Sequence, residues 1–219
     1  MTGRPTAVKI LLVDDHPLVR EGIAMRLSLQ KDWSVCGEAE CEDEALEKVK
    51  SLSPDLVIVD MSLKRGHGLD VIKRIKSRFA HVKVLVVSGF QESLYAERAL
   101  RAGALGYLNK QESNEKLIDA VRTVLAGRRF ISADLAQRLV DQALGSADET
   151  QMPIETLSDR ELEIFRMIGE GLATGAIAEQ LFISTHTIDS HREHIKRKLG
   201  LSNAAELSRA AVQWVLENS

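Results

Sequence analysis

Residues 8–13, 55–59 and 82–87 are rich in β-branched side chains and almost continuously apolar, as strands buried on both faces of a parallel sheet are. Two weaker strands are expected over 33–39 and 104–108. Between them apolar positions recur at helical spacing over 18–29, 42–52, 69–79, 93–102 and 114–125. Five strands alternating with five helices predict an α/β unit, a five-stranded parallel sheet with helices on both faces.

The alternation stops after Gly127. A further helix is expected over 134–144, followed by a polar stretch without periodicity at 145–154 that reads as a linker. From Leu157 onward the pattern is helical throughout, predicting four short helices over 159–170, 174–181, 185–199 and 204–216. Ser158 and Glu161 have the spacing of a capping box, Asn203 and Glu206 that of a similar start, and Gly200 marks a stop. The expected organisation is an α/β domain over 1–128, a linker with a helix over 129–153, and a small all-α domain over 154–219.

Composition narrows the function classes. At 219 residues, 44% hydrophobic and 28% charged, the chain has ordinary globular usage, which excludes wholesale disorder and fibrous repeats. Its apolar runs fall far short of the roughly 18 residues that span a bilayer, and its N-terminus leads straight into a strand without a signal-peptide pattern. A cytoplasmic protein with no membrane partner is expected. Cys36 and Cys41 are too few for a disulfide framework and form no CxxC pair. The net charge of −3 neither predicts nor excludes a nucleic-acid partner, so charge has to be read locally.

In open α/β sheets ligands bind beyond the carboxyl ends of the strands. Asp14 and Asp15 follow the first strand, Asp60 the third and Ser88 the fourth, and Lys110 comes just after the fifth. Three neighbouring carboxylates repel one another, and such a cluster favours a hard cation of the Mg²⁺ kind. Lys110 and Ser88 add a positive charge and a hydroxyl able to stabilise the oxygens of a phosphoryl group in transfer. Alone, Asp14 reads as a helix cap before Pro17, Tyr107 as edge packing and His16 as a surface residue.

The ordered set Asp14, Asp15, Asp60, Ser88, Tyr107 and Lys110 resembles that of the receiver domain of two-component response regulators, over residues 8 to about 128. The resemblance implies a flavodoxin-like fold with Asp60 as phosphoacceptor, charged by a histidine kinase. It implies Mg²⁺ held by Asp14, Asp15, Asp60 and the Ser62 backbone carbonyl, and Lys110 paired with the phosphate. Ser88 would be drawn toward the phosphate and Tyr107 would fill the space it leaves, making these two the switch. Lys64 and Gln111 stand where the family usually has proline. Without proline a cis peptide is disfavoured by about 3 kcal/mol, so a trans Lys110–Gln111 bond is expected. Ser62 and Phe90 are expected to tune phosphate lifetime.

The connection Phe182-Ile183-Ser184 between the second and third helices of the last domain suits a helix-turn-helix. Leu157-Ser158-Asp159-Arg160-Glu161, Gly171, Ile177-Ala178, Leu181, Ile183-Ser184, Thr187-Ile188, His191, Ile195 and Lys198-Leu199-Gly200 resemble the LuxR-type DNA-binding domain. Receiver plus this domain is the architecture of the NarL/FixJ class. At helical spacing Ile188, Ile195 and Leu199 turn inward, while Ser190, Glu193 and Arg197 turn outward, flanked by Asp189, His194 and Lys196. Thr185, Thr187 and Arg192 are the expected backbone contacts. Residues 152–219 carry seven basic side chains against ten acidic ones. Together with Asp189 and Glu193 on the outer face, this implies weak monomer binding to double-stranded DNA and dependence on a homodimer formed on phosphorylation.

The reading is therefore a phosphorylation-dependent transcriptional regulator, not an enzyme beyond Mg²⁺-dependent self-phosphorylation and slow self-dephosphorylation at Asp60. Two alternatives fit the sequence less well. A phosphohydrolase of the haloacid-dehalogenase kind needs an Asp-x-Asp and a cap domain, and the chain has adjacent aspartates and no room for a cap. A phosphorylation-independent DNA-binding regulator that uses the receiver only to dimerise has no need of intact Asp14, Asp15, Asp60 and Lys110.

Overall fold

The computed structural model describes residues 7–63, 66–90, 92–112, 114–144 and 153–218. Lys64 and most of the expected linker lie outside the described residues. The chain divides into two compact units, Met1–Ala136 and Gln137–Ser219.

In the first unit β1 (Val8–Val13), β2 (Trp33–Ala39), β3 (Leu56–Val59), β4 (Lys83–Ser88) and β5 (Gly106–Asn109) form one parallel sheet in the order β2-β1-β3-β4-β5. The chain runs outward from β1 to β2, then returns to β3 on the other side of β1, which opens the topological crevice beyond the ends of β1 and β3. Successive strand residues face opposite sides. Ile10, Leu12, Ile58, Leu85 and Val87 pack with Ile23 and Leu27 of α1 (Pro17–Ser28) and Val121 and Val124 of α5 (Asn114–Leu125). The alternate residues Leu11, Val13, Val57, Val59, Val84 and Val86 are equally buried. Three further helices, α2 (Glu42–Leu52), α3 (Gly68–Arg78) and α4 (Glu92–Ala102), supply Val49, Ile72, Ile75, Ala96 and Ala99 to the core. Each large aliphatic side chain buried here contributes about 1.5–3 kcal/mol.

The last strand begins two residues later than the apolar run predicts. Gly103, at φ +109°, turns the chain out of α4, and Leu105 N–H has already joined Val84 O at 2.8 Å before regular pairing starts. Phe130 forms an unforeseen parallel bridge with Gly106, and α6 (Ala133–Ala143) follows, its N-terminus capped by Ser132 Oγ accepting from Leu135 N–H at 3.1 Å.

The second unit contains a 3-10 turn, Pro153–Thr156, and the helices α7 (Asp159–Gly169), α8 (Thr174–Gln180), α9 (Thr185–Leu199) and α10 (Ala204–Asn218). The capping box of Ser158 and Glu161 is formed, Asn203 Oδ1 accepts from Glu206 N–H at 3.0 Å, and Gly200 ends α9 in the left-handed region at φ 67°. Phe165 of α7 meets Trp214 of α10 with ring centroids 5.9 Å apart.

Glu161 is buried and accepts from Lys198 Nζ at 2.6 Å as well as from Ser158 N–H at 2.7 Å. Burial alone would raise its pKa, but Lys198 and the Ser158 donors outweigh it and hold the carboxyl below its ordinary range. A folded-state value below the unfolded one stabilises the fold at neutral pH, and that stabilisation is lost as pH falls through the folded value. Glu161→Ala is expected to remove about 2 kcal/mol at pH 7 and to flatten the acid limb below about pH 4.5. Urea unfolding followed by Trp214 fluorescence in a Trp33→Phe background measures both.

Candidate functional site

Backbone pairing beyond the strand ends brings the acidic residues together. Asp14 N–H donates to Ala39 O at 3.0 Å, Asp60 N–H to Val13 O at 2.8 Å and Lys110 N–H to Ser88 O at 2.8 Å, so each residue is held by the end of the neighbouring strand. Asp14, Asp15, His16 and Asp60 each place one ligand atom within 4.8 Å of the others. Lys110 Nζ lies 2.7 Å from both Asp14 Oδ2 and Asp60 Oδ2, and Asp60 Oδ1 accepts from Met61 N–H at 2.7 Å.

Burial drives the Asp60 pKa up, outweighing the opposing pull of Lys110, and the charge of Asp14 adds to the rise. For Lys110, burial works to lower the pKa, but Asp60 and Asp14 outweigh it and the ammonium is held above its ordinary value. Lys110 therefore stays a cation and stands over a carboxylate that is expensive to keep charged without a second positive group.

The donor set fits a hard divalent cation, since it consists of carboxylate oxygens converging from two strand ends. One observation supports that fit independently: Asp15 Oδ1 is buried and accepts no hydrogen bond, although His16 Nδ1 is 2.7 Å away. Asp14 is not a helix cap. His16 occupies the N-cap of α1, and Asp14 Oδ1 instead accepts from His16 N–H at 2.8 Å. Ser62 sits in an isolated antiparallel bridge with His67, two residues past Asp60.

Ser88 and Tyr107 are both buried. Ser88 Oγ accepts from Phe90 N–H at 3.3 Å, and the Tyr107 hydroxyl is turned inward, donating to Phe90 O at 2.8 Å. Burial pushes the Tyr107 phenol well above its ordinary pKa against the pull of a hydrogen bond with Ser88. Among the described residues no peptide is cis, so Lys110–Gln111 is trans.

Several contributors escaped the sequence reading. Arg20, buried on the inner side of α1, donates to Asp14 O at 2.6 Å and to Glu38 and Glu40 at 2.7 and 2.9 Å, which clamps the loop after β1 to the end of β2. Gly68 N–H donates to Met61 O at 3.0 Å, and a Cβ at Gly68 would overlap Asp60 O and lie 2.7 Å from Met61 Cα. Asn109 Nδ2 donates to Phe90 O at 3.3 Å beside Tyr107. A buried arginine among helical apolar positions was the one readable signal of these.

In the second unit α8 and α9 flank a tight turn in which Phe182, at φ 54°, is 74% exposed. Ser184 caps α9 by accepting from Thr187 N–H at 3.1 Å, and its hydroxyl lies 2.8 Å from Thr187 Oγ1. Ile188 and Ile195 are buried, whereas Thr185, Asp189, Ser190, Glu193 and Arg197 are exposed. The basic run is partly committed within the fold. Arg192 donates to Thr174 Oγ1 at 2.8 Å, Lys196 pairs with Glu193 at 2.8 Å, and Lys198 is bound to Glu161.

Comparison with known proteins agrees with this geometry. Residues 10–122 match the family described as response regulator receiver domain, and 155–211 match bacterial regulatory proteins of the luxR family. The oxygen regulatory protein NreC of Staphylococcus aureus is 36% identical over 211 residues, covering 94% of this chain and 97% of its own. RcsB of Salmonella enterica serovar Typhimurium, solved on promoter rprA with the phosphomimetic BeF3-, is 26% identical over 93% of this chain and 98% of its own, at TM-score 0.69. A structure of two RcsB dimers on two parallel DNAs is 26% identical over 97% of this chain and 98% of its own, at TM-score 0.57. With both halves matched in order and a relative aligned nearly end to end, the chain belongs to the response regulators that join a receiver domain to a LuxR-type DNA-binding domain.

Proposed function

We propose that the chain is a phosphorylation-dependent transcriptional regulator in which a histidine kinase charges Asp60 and the charged form binds double-stranded DNA as a homodimer. The reading assigns the receiver to 1–128, the connector to 129–153 and the DNA-binding domain to 154–219, in a cytoplasmic protein. Among the described residues no helix is long and apolar enough to cross a membrane.

The observation that carries the reading is the setting of Asp60: an acceptor carboxylate with Lys110 at 2.7 Å, in a cluster where Asp14, Asp15, His16 and Asp60 each place one ligand atom within 4.8 Å of the others. A carboxylate oxygen of Asp60 attacks phosphorus, an O–P bond forms, and the P–N bond of the donor phosphohistidine breaks as the imidazole leaves with its electron pair and is protonated. Lys110 touches the reacting carboxylate and neutralises phosphoryl charge. Asp14, Asp15, Asp60 and the Ser62 carbonyl would hold Mg²⁺, which supplies further positive charge to the same oxygens when bound. Ser88 and Tyr107 form the switch, both already joined to Phe90. The receiver match and a relative solved on promoter DNA with a phosphomimetic support the reading at the level of the two domains.

Acetyl phosphate with Mg²⁺ is expected to add one phosphoryl group, read by intact mass, and EDTA to prevent it. A wild-type chain that gains no mass from either acetyl phosphate or a phosphorylated kinase would turn the reading toward a phosphorylation-independent regulator.

For DNA, the assigned contacts are Thr185, Thr187, Asp189, Ser190, Arg192, Glu193, Lys196 and Arg197. Arg197 is exposed, outward on α9, and suited to a phosphate. Arg197→Ala is expected to weaken binding about equally across sequences and to reduce the slope of log affinity against log salt by about one, measured by fluorescence anisotropy.

A further inference from the structure

The loop after β4 is fastened to more than the switch pair. Phe90 O accepts from both the Tyr107 hydroxyl and Asn109 Nδ2, and the Phe90 ring stacks on Tyr95 with centroids 4.9 Å apart. Two residues further on, Glu92 opens α4 and its Oε1 accepts from Ser132 N–H at 2.9 Å. The same Ser132 caps α6 through its hydroxyl. Just upstream, Phe130 is locked to the sheet, donating to Leu105 O at 2.9 Å and accepting from Tyr107 N–H at 3.0 Å.

The segment that leads into α6 therefore has two anchors of different character. Phe130 is held by a rigid strand through backbone bonds, whereas Ser132 is held by one side chain standing at the end of the loop that begins at Ser88. Glu92 is also close enough to Tyr107 to bear on its ionisation. The acceptor of the Ser132 amide thus stands two residues from Phe90, which is joined to both Ser88 and Tyr107.

We infer that the Glu92 carboxylate is a coupling contact: it ties the position of the β4–α4 loop to the N-cap of α6, so that charging Asp60 alters the hold on the helix that leads out of the receiver. The inference rests on Asp60 phosphorylation as proposed above. Glu92 touches neither the reacting atoms nor the acidic cluster, so its loss leaves phosphorylation intact. An allosteric coupling of this kind is typically worth at least about a fivefold change in affinity.

The test uses the full chain as wild type, Glu92→Ala and Glu92→Gln, the last retaining an acceptor oxygen. Each is treated with acetyl phosphate and Mg²⁺, and three quantities are read: mass gain, hydrogen exchange over residues 130–136, and affinity for the duplex that phosphorylated wild type selects from a randomised pool. Wild type is expected to change its exchange at 130–136 on phosphorylation. Glu92→Ala is expected to gain the same mass while losing that change and about fivefold of the phosphorylation-dependent gain in DNA affinity, and Glu92→Gln to keep most of both. Full exchange and affinity responses in Glu92→Ala overturn the inference, as does equal loss in both variants, which would assign the effect to the charge at the start of α4. Absence of mass gain in wild type with acetyl phosphate and with a phosphorylated kinase alike, or absence of a selected duplex, overturns the proposed function itself, and the coupling with it.

Discussion

Asp60→Asn is expected to abolish phosphoryl acceptance completely while leaving the receiver as stable as before in the absence of divalent cation, or slightly more so. The two outcomes separate because Asp60 is placed for chemistry at the expense of stability. It is 3% exposed, burial raises its pKa, and Asp14 raises it further. Asparagine keeps the shape and an acceptor for Met61 N–H, removes one buried negative charge, and leaves Lys110 still paired with Asp14 at 2.7 Å. Relief of like-charge repulsion then offsets the lost pair with Lys110, and because Lys110 keeps Asp14 the substitution strands no buried charge, which is what makes removal of one partner of a buried pair costly. Intact mass after acetyl phosphate treatment and thermal unfolding in EDTA measure the two effects. A drop in stability of several kcal/mol would show that the pair with Lys110, not the acceptor role, governs this position.

Gly68→Ala is expected to have the second-largest effect, through the backbone of the acceptor. The loop from Asp60 to α3 closes on itself by the Gly68 to Met61 hydrogen bond and the Ser62 to His67 bridge, and α3 starts against the Asp60 carbonyl. The new Cβ meets backbone atoms that cannot rotate away, so the loop must shift. Overpacking of this kind typically destabilises by about 1–3 kcal/mol. Displacing a reactive group by about 1 Å typically slows its reaction about a hundredfold. Time courses of mass gain, set beside urea unfolding, give both numbers. A variant that is destabilised yet phosphorylated at the wild-type rate would show that the shift spares Asp60.

The sheet and the acidic rim were legible because they rest on one-dimensional signals. Fully buried parallel strands are continuous apolar runs, and a ligand rim at their carboxyl ends puts Asp14, Asp15, Asp60, Ser88 and Lys110 at positions that can be counted along the chain. The capping box at Ser158 and the stop at Gly200 were legible for the same reason. What stayed hidden depends on contacts between segments distant in sequence. Arg20 reaches Asp14, Glu38 and Glu40, Gly68 matters only because α3 abuts the Asp60 backbone, and Glu92 meets a residue forty positions away. The basic run from Arg192 to Lys198 shows the converse. Nothing in the spacing of the run sets Lys198 apart from its exposed neighbours, yet it is bound to Glu161, because a cation stabilises a buried capping carboxylate and α9 ends beside it.

The clamp formed by Arg20 has a thermodynamic consequence for the acidic rim. The turn that carries Asp14 and Asp15 is fixed to the neighbouring strand through contacts that use none of the carboxylates of the acidic rim, so binding a cation there should cost little chain entropy. Capture should then resemble filling a rigid socket: its heat signature is dominated by release of water from the ion and the carboxylates, and occupancy follows the free ion concentration without a slow ordering phase.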